Sequence, residues 1–217
     1  MKKTKSKPVG FLVVDDHPFV RRGLKEILAD AYPGAVFGEA ADSSTALREF
    51  DRRKWDLVLL DVNIPGRGGL DVLEDMLRTR PSARILIVSM YPEEEFAVRA
   101  FRLGAAGYMN KSQASDELVD AVKDILDGRK HVTPALAQAL ADALNGKQPC
   151  APHETLSPRE LQVLCLIASG NTVKQIAADL ALSEKTVGTY RTRIAEKTGM
   201  TSNVELTRYA FQHGLTG

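Results

Sequence analysis

Five short apolar runs separated by longer stretches are the feature that most constrains the fold of this chain. The runs cover residues 11–14, 36–40, 57–60, 85–88 and 107–110. The third and fourth runs are apolar throughout, as expected for strands that are covered on both faces. After several runs, apolar residues recur at helical spacing, for example at Leu24, Ile27 and Leu28. This order predicts an α/β fold, a doubly wound five-stranded parallel sheet with helices on both faces.

The residues beyond 128 follow a different pattern. Residues 135–144 are alanine-rich, with leucines at four-residue spacing, which predicts a linker helix. Beyond residue 152 there is no strand pattern, and helix-start signals predict four short helices. These signals are Ser157 with Pro158 and Glu160, Thr172 with Gln175, Ser183, and Ser202 with Glu205. We therefore expect a first domain at 9–128, a linker at 129–152 and an all-α, four-helix domain at 153–217.

Composition and charge exclude some classes of protein. The net charge of +1 means that any nucleic-acid-binding surface must be local. Residues 1–7 are basic but lack the apolar run of a secretory signal. No stretch approaches the roughly 18 apolar residues that a membrane span needs. Cys150 and Cys165 are the only cysteines and are expected to be reduced. We expect a soluble, cytoplasmic protein with no membrane partner.

Polar side chains follow four of the five predicted strands directly or close them. Asp15 and Asp16 follow the first strand, Asp61 follows the third, Ser89 closes the fourth and Lys111 follows the fifth. In an open α/β sheet, ligands bind at the carboxyl edge where these residues would meet. Three neighbouring carboxylates repel one another unless a cation joins them, and hard oxygen ligands suit Mg²⁺. Such a site would let one carboxylate attack phosphorus and form an aspartyl phosphate.

Residues 9–128 resemble a flavodoxin-like receiver domain. The matching motifs, in chain order, are VVDDHP at 13–18, LDVNIPG at 60–66, VSM at 88–90 and AGYMNK at 106–111. The resemblance implies that Asp61 is the phosphoacceptor. It implies a Mg²⁺ site of Asp61, Asp16, Asp15 acting through water, and the carbonyl of Asn63. It also implies phosphoryl-binding roles for Ser89 and Lys111, and a switch role for Tyr108.

Residues 155–215 resemble the LuxR-type helix-turn-helix domain, through LSPRE at 156–160, KQIA at 174–177 and SEKTV at 183–187. With the receiver, this resembles the NarL/FixJ arrangement. On a helical wheel of the third helix, Val187, Tyr190 and Ile194 share a core-facing side. The opposite side and its flanks carry the candidate DNA-binding residues, which are Lys185, Thr186, Gly188, Thr189, Arg191, Thr192 and Arg193.

The resemblance implies a DNA-binding transcriptional regulator of a two-component phosphorelay. A sensor histidine kinase would phosphorylate Asp61, and the chain would bind double-stranded operator DNA. It would not be an enzyme beyond slow self-catalysed phosphorylation and dephosphorylation. We expect a homodimer on DNA or when phosphorylated, with the last helix as a dimer contact or as part of the domain core. We also expect phosphorylation to swing Tyr108 inward.

Two alternatives come from other functional classes. A Mg²⁺ site with an aspartate nucleophile also fits a phosphohydrolase, but Asn63 stands where a second acidic residue would be needed. The helical domain would also suit a module that binds protein or RNA. A dinucleotide-binding site is excluded, because the glycines at 66, 68 and 69 have the wrong spacing and do not open the first helix.

Overall fold

The computed structural model describes residues 8–90, 93–112, 115–144 and 151–215. Its first part alternates five strands and five helices. These are β1 (Gly10–Val14), α1 (Pro18–Ala31), β2 (Val36–Ala40), α2 (Ser43–Arg52), β3 (Leu57–Leu60), α3 (Gly69–Thr79), β4 (Ile85–Ser89), α4 (Glu93–Leu103), β5 (Gly107–Asn110) and α5 (Ser115–Leu126). The predicted strand-then-helix order is therefore confirmed.

All five strands form one parallel sheet in the order β2-β1-β3-β4-β5. Because successive side chains in a strand point to opposite faces, each central strand supplies both sides of the core. In β1, Leu12 and Val14 join one buried cluster, whereas Phe11 and Val13 join the other. The helices that cover the two faces of the sheet shield both clusters from solvent. This explains why the strand sequences are apolar runs. Among the described residues, no helix is long and apolar enough to cross a membrane.

The linker helix α6 (Pro134–Leu144) begins one residue before the predicted range of 135–144 and packs against α4. Leu136 is buried and Leu140 is partly buried, so the expected leucine stripe faces the rest of the protein. Residues 145–150 of the predicted linker, including Cys150, lie outside the described residues. Cys165 is buried in the second domain, as its apolar surroundings in the sequence predict.

The second part consists of a 3-10 helix (Pro152–Thr155) and four α-helices. These are α7 (Pro158–Ala168), α8 (Val173–Asp179), α9 (Glu184–Thr198) and α10 (Asn203–Gln212). Each predicted N-cap is confirmed, since the side chains of Ser157, Thr172, Ser183 and Ser202 accept a backbone N–H of the first turn. Gly199 ends α9 in the left-handed conformation, φ +75°, that glycine adopts at low cost.

The two parts are packed together, and buried residues of α7–α10 continue one of the two clusters of the sheet domain. Helix α7 is one contacting element of the helical domain. It lies against the loop that joins β3 to α3, which is the loop that follows Asp61. The helical domain is therefore placed beside the carboxyl edge of the sheet.

Candidate functional site

Strand register brings the acidic residues together. Val14 pairs with Leu60, and the N–H of Asp61 donates to the carbonyl of Val14 at 2.9 Å. The residues that follow β1 and β3 therefore lie side by side at the carboxyl edge. One ligand atom from each of Asp15, Asp16, His17 and Asp61 lies within 4.8 Å of the others.

Lys111 completes this cluster from the far side. Its N–H donates to the carbonyl of Ser89 at 2.8 Å, which fixes the end of β5 against the end of β4. Its ammonium lies 2.6 Å from Asp15 Oδ2 and 2.7 Å from Asp61 Oδ2. Asp15, Asp61 and Ser89 are buried, and Asp16 is partly exposed. The five polar residues predicted from the sequence thus meet at one edge.

Burial dominates the electrostatics of this site. Removal from water raises the pKa of Asp61 to about 6, because a buried carboxylate loses its hydration. The ammonium of Lys111 opposes this rise, and the neighbouring charge of Asp15 adds to it. Burial alone would lower the pKa of Lys111, but the carboxylates of Asp61 and Asp15 outweigh it and raise that pKa. Asp61 is consequently ionised at neutral pH, and Lys111 holds it in place.

The donor set of this cluster fits a hard divalent cation. Three carboxylates offer oxygen atoms within one ion's reach, and Asp16 is open enough to leave room for water. Mg²⁺ takes such oxygen ligands and keeps several waters. His17 is the one nitrogen donor of the group, and its side chain is 61% exposed and lies 2.7 Å from Asp16. The acidic pocket typical of Mg²⁺-binding receivers is therefore present.

The loop after Asp61 is tightly held. The N–H of Asn63 donates to Asp61 Oδ1 at 3.1 Å, and the N–H of Gly69 donates to the carbonyl of Val62 at 2.9 Å. A Cβ added to Gly69 would lie 2.0 Å from the carbonyl oxygen of Asp61, so no larger residue fits without movement. The start of α3 is therefore packed directly against the backbone of Asp61.

Tyr108 differs from the expectation. Its side chain is only 1% exposed, packed in the same buried cluster as the interior of the helical domain. The ring is thus buried while Lys111 still bonds both carboxylates, so an inward swing is not needed to bury it. The role of Tyr108 as a switch stays a prediction.

The exposed face of α9 carries most of the predicted DNA-binding residues. Val187 and Ile194 are buried and Tyr190 is partly buried, as the helical wheel predicts. The exposed residues are Lys185, Gly188, Thr189, Thr192 and Arg193, and the partly buried ones are Thr186 and Arg191.

Two details of α9 limit what its threonines can do. The hydroxyls of Thr189 and Thr192 donate to the carbonyls four residues earlier, at 3.1 and 3.2 Å. They therefore offer lone pairs and methyl groups to a base edge rather than a free proton. The hydroxyl of Thr186 bonds that of Ser183 at 2.8 Å, so it belongs to the helix cap.

Residues that join the two domains were missed by the sequence prediction. Gln162 and Arg159 of α7 donate to the loop after Asp61, and Arg99 of α4 donates to the 3-10 helix. Their partners are mostly backbone carbonyls, which have no sequence signature. The only signal in the sequence was the presence of long polar side chains, Arg159 and Gln162, in α7. The structure buries most residues of this helix.

An acidic sheet edge with a lysine, joined to a capped helix-turn-helix, defines the class of receiver-containing DNA-binding proteins. Residues 11–123 match the family "Response regulator receiver domain", and residues 154–210 match "Bacterial regulatory proteins, luxR family". The chain belongs to the NarL/FixJ family of response regulators. It is a two-component, DNA-binding transcription regulator with a receiver domain.

Relatives and solved structures agree over most of the chain. Response regulator GacA of Pseudomonas aeruginosa is 40% identical over 205 residues, 94% of this chain and 96% of the relative. Response regulator UvrY of Escherichia coli K12 is 34% identical, covering 95% of each. A LuxR-family regulator structure from Aurantimonas is 38% identical, with TM-score 0.58 over 64% of this chain and 99% of the other. RcsB of Salmonella enterica serovar Typhimurium, 23% identical with TM-score 0.63 over 94% of this chain and 98% of RcsB, shares the fold.

Proposed function

We propose that Asp61 accepts a phosphoryl group from a sensor histidine kinase, and that this controls DNA binding by the helical domain. One observation carries the proposal. The ammonium of Lys111 lies 2.7 Å from a carboxylate oxygen of buried Asp61 and 2.6 Å from one of Asp15. We assign residues 9–128 to the receiver, 129–152 to the linker and 153–217 to the DNA-binding domain. The cytoplasmic location expected from the sequence remains a prediction.

The chemistry follows from the groups at the sheet edge. A carboxylate oxygen of Asp61 attacks phosphorus, a P–O bond forms, and the P–N bond to the kinase histidine breaks. The departing imidazole keeps the electron pair of that bond and takes up a proton. Lys111 binds a phosphoryl oxygen as a point charge, and the hydroxyl of Ser89 donates to another. Without a kinase, we propose at most slow self-catalysed phosphorylation and dephosphorylation.

Mg²⁺ is the proposed cofactor. When bound, it neutralises phosphoryl charge and orients the group for in-line attack. Asp16 and Asp61 would hold it directly, Asp15 through water, and the carbonyl of Asn63 would complete the set, as in the family. Asp16 suits this role because it is the most exposed carboxylate of the three.

Double-stranded operator DNA is the proposed ligand of α9. Thr189 and Thr192 lie on the exposed face and would contact base edges, whereas Lys185, Arg191 and Arg193 would hold phosphates. Gly188 has no atom within 4 Å of a built Cβ, so the protein itself does not require glycine there. Close approach of the helix to DNA would explain it.

Helix α10 is the proposed dimer contact on DNA. Leu206 and Ala210 are buried in the domain core, so these two residues close the domain. Val204 and Phe211, seven positions apart and therefore on one face, are 79% and 78% exposed. A dimer through this face predicts DNA half-sites about one helical turn apart.

The proposal is tested by incubating the protein with Mg²⁺ and a small phosphodonor, and by following oligomeric state and enrichment of duplex DNA from a random pool. We expect dimerisation and stronger selection in the wild type, and neither change in Asp61→Asn. Failure to enrich any duplex would favour a module that binds protein or RNA. Rapid turnover of a phosphomonoester would favour a phosphohydrolase.

A further inference from the structure

The loop that follows Asp61 accepts hydrogen bonds from two side chains of the helical domain. The amide of Gln162 donates to the carbonyl of Val62 at 3.2 Å and to Asn63 Oδ1 at 3.0 Å. The guanidinium of Arg159 donates to the carbonyl of Gly66 at 2.9 Å. Gln162 is 1% exposed and Arg159 5% exposed, so both contacts exclude water. Buried hydrogen bonds of this kind are costly to leave unmade.

The two gripping side chains are themselves fixed. Arg159 also donates to Gln162 Oε1 at 2.6 Å and to the carbonyl of Leu180, at the end of α8, at 2.9 Å. The pair therefore connects the loop of the receiver with the turn that precedes α9. A movement of the loop would therefore act on a buried, hydrogen-bonded unit of the helical domain.

The other end of this connection is the phosphoacceptor. Asn63, which accepts from Gln162, is the residue whose N–H donates to Asp61 Oδ1. Val62, the second acceptor, also accepts from the N–H of Gly69, where an added Cβ would lie 2.0 Å from the carbonyl oxygen of Asp61. Asp61 and Gln162 therefore both form hydrogen bonds with this loop.

A second contact holds the domains together away from this loop. Arg99 of α4 donates to the carbonyls of Leu156 and His153, at 2.5 and 2.6 Å. Meanwhile the face of α9 that carries Lys185 and Thr189 remains exposed. Docking of the helical domain therefore covers α7 and leaves the DNA-contacting face open.

Resting on the function proposed above, we propose that Gln162, oriented by Arg159, is a positioning residue that holds the phosphoacceptor loop in its unphosphorylated arrangement. Docking of the helical domain then disfavours phosphorylation of Asp61, and phosphorylation disfavours docking, because both depend on the position of this loop. The receiver does not need to cover α9 for this opposition to operate. A phosphoryl group needs Lys111, which now also bonds Asp15, and a metal would draw on the backbone of Asn63. The demand on Asn63 acts directly on the loop to which Gln162 is hydrogen-bonded.

Reciprocity gives the sign of the effect. If phosphorylation releases the contact, loss of the contact must favour phosphorylation by the same factor at equilibrium.

Gln162→Ala removes both bonds to the loop. Gln162→Glu keeps the acceptor for Arg159 but places a carboxylate against two carbonyl-type oxygens. Arg99→Ala weakens docking without touching the loop, and Gln212→Ala, an exposed glutamine on α10, is the control.

The experiment uses the full chain with Mg²⁺ and a small phosphodonor. The fraction phosphorylated at steady state and hydrogen exchange of residues 61–69 are measured together. We expect the steady-state ratio of phosphorylated to unphosphorylated protein to rise about fivefold or more in Gln162→Ala, Gln162→Glu and Arg99→Ala. Exchange before phosphorylation should be faster in these variants, and Gln212→Ala should match the wild type. Damage to the fold would lower phosphorylation, so a gain separates positioning from structural loss.

Two kinds of failure are distinct. If the wild type is not phosphorylated at Asp61 at all, the proposed function fails. If it is phosphorylated and Gln162→Ala or Gln162→Glu gives a ratio equal to or below that of the wild type, the positioning role is overturned. The same holds if Arg99→Ala opens the domains, seen as faster exchange at 153–162, without raising the ratio.

Discussion

Replacing Asp61 by asparagine should stabilise the unphosphorylated protein in Mg²⁺-free buffer. The side chain is buried, and its pKa of about 6 is well above the 3.8 of an exposed aspartate. That rise is already net of the favourable ion pair with Lys111, so the charged form remains the unfavourable one. A pKa shift of about 2 units corresponds to about 3 kcal/mol of folding free energy that the charged aspartate costs at neutral pH. Asparagine is a neutral mimic of the protonated acid and avoids this cost.

The sign with pH follows from proton binding. Between pH 4 and pH 6 the folded protein holds a proton on Asp61 that the unfolded chain has released, so this group makes the wild type less stable as pH rises. The gain from Asp61→Asn should therefore grow from about 1 kcal/mol at pH 4.5 to about 3 kcal/mol above pH 7.

The assay is urea unfolding of both proteins with a chelator, followed across pH 4.5 to 7.5. The free energies of unfolding are compared at each pH, and added Mg²⁺ should then stabilise the wild type more than the variant. A stability difference that is independent of pH, or a less stable Asp61→Asn, would refute the assignment of burial as the main cause.

Four further substitutions probe other parts of the protein. Gly69→Ala places a methyl group against the carbonyl of Asp61 and should cost about 1–3 kcal/mol in urea unfolding and slow phosphorylation; unchanged stability would show that the loop is loose. Thr189→Ala should reduce preference for the specific site, whereas Arg193→Ala should weaken specific and non-specific DNA alike in a salt-controlled binding assay, and equal effects would count against these roles. Gly188→Ala should raise the melting temperature, since alanine is favoured by about 1 kcal/mol in an exposed helix, yet lower DNA affinity; unchanged affinity would remove the case for close approach.

The parallel sheet and its acidic edge were predictable because both rest on local patterns. Apolar runs identify buried strands, and parallel strands bring their carboxyl ends to one edge. Capping boxes placed the starts of α7, α8 and α10 for the same reason, since they are short-range hydrogen-bond patterns. Helix α2 was not identified, although Asp42 caps it and Ala46 and Phe50 form its buried stripe.

The contacts between the domains could not be predicted from the sequence. Gln162 and Arg159 read as ordinary polar residues of a helix, and their main acceptors are carbonyls of Val62, Gly66 and Leu180. Backbone acceptors carry no residue-type signal, so only the three-dimensional arrangement reveals them. The full burial of Tyr108 could not be predicted either, because packing around β5 depends on elements that are distant in sequence.

The most direct test is the intact mass of the protein after incubation with Mg²⁺ and a small phosphodonor at neutral pH. The wild type should gain the mass of one phosphoryl group, and Asp61→Asn, or the wild type with a chelator, should gain none. Equal phosphorylation of wild type and Asp61→Asn would contradict the account, because the phosphoryl group would then be carried elsewhere.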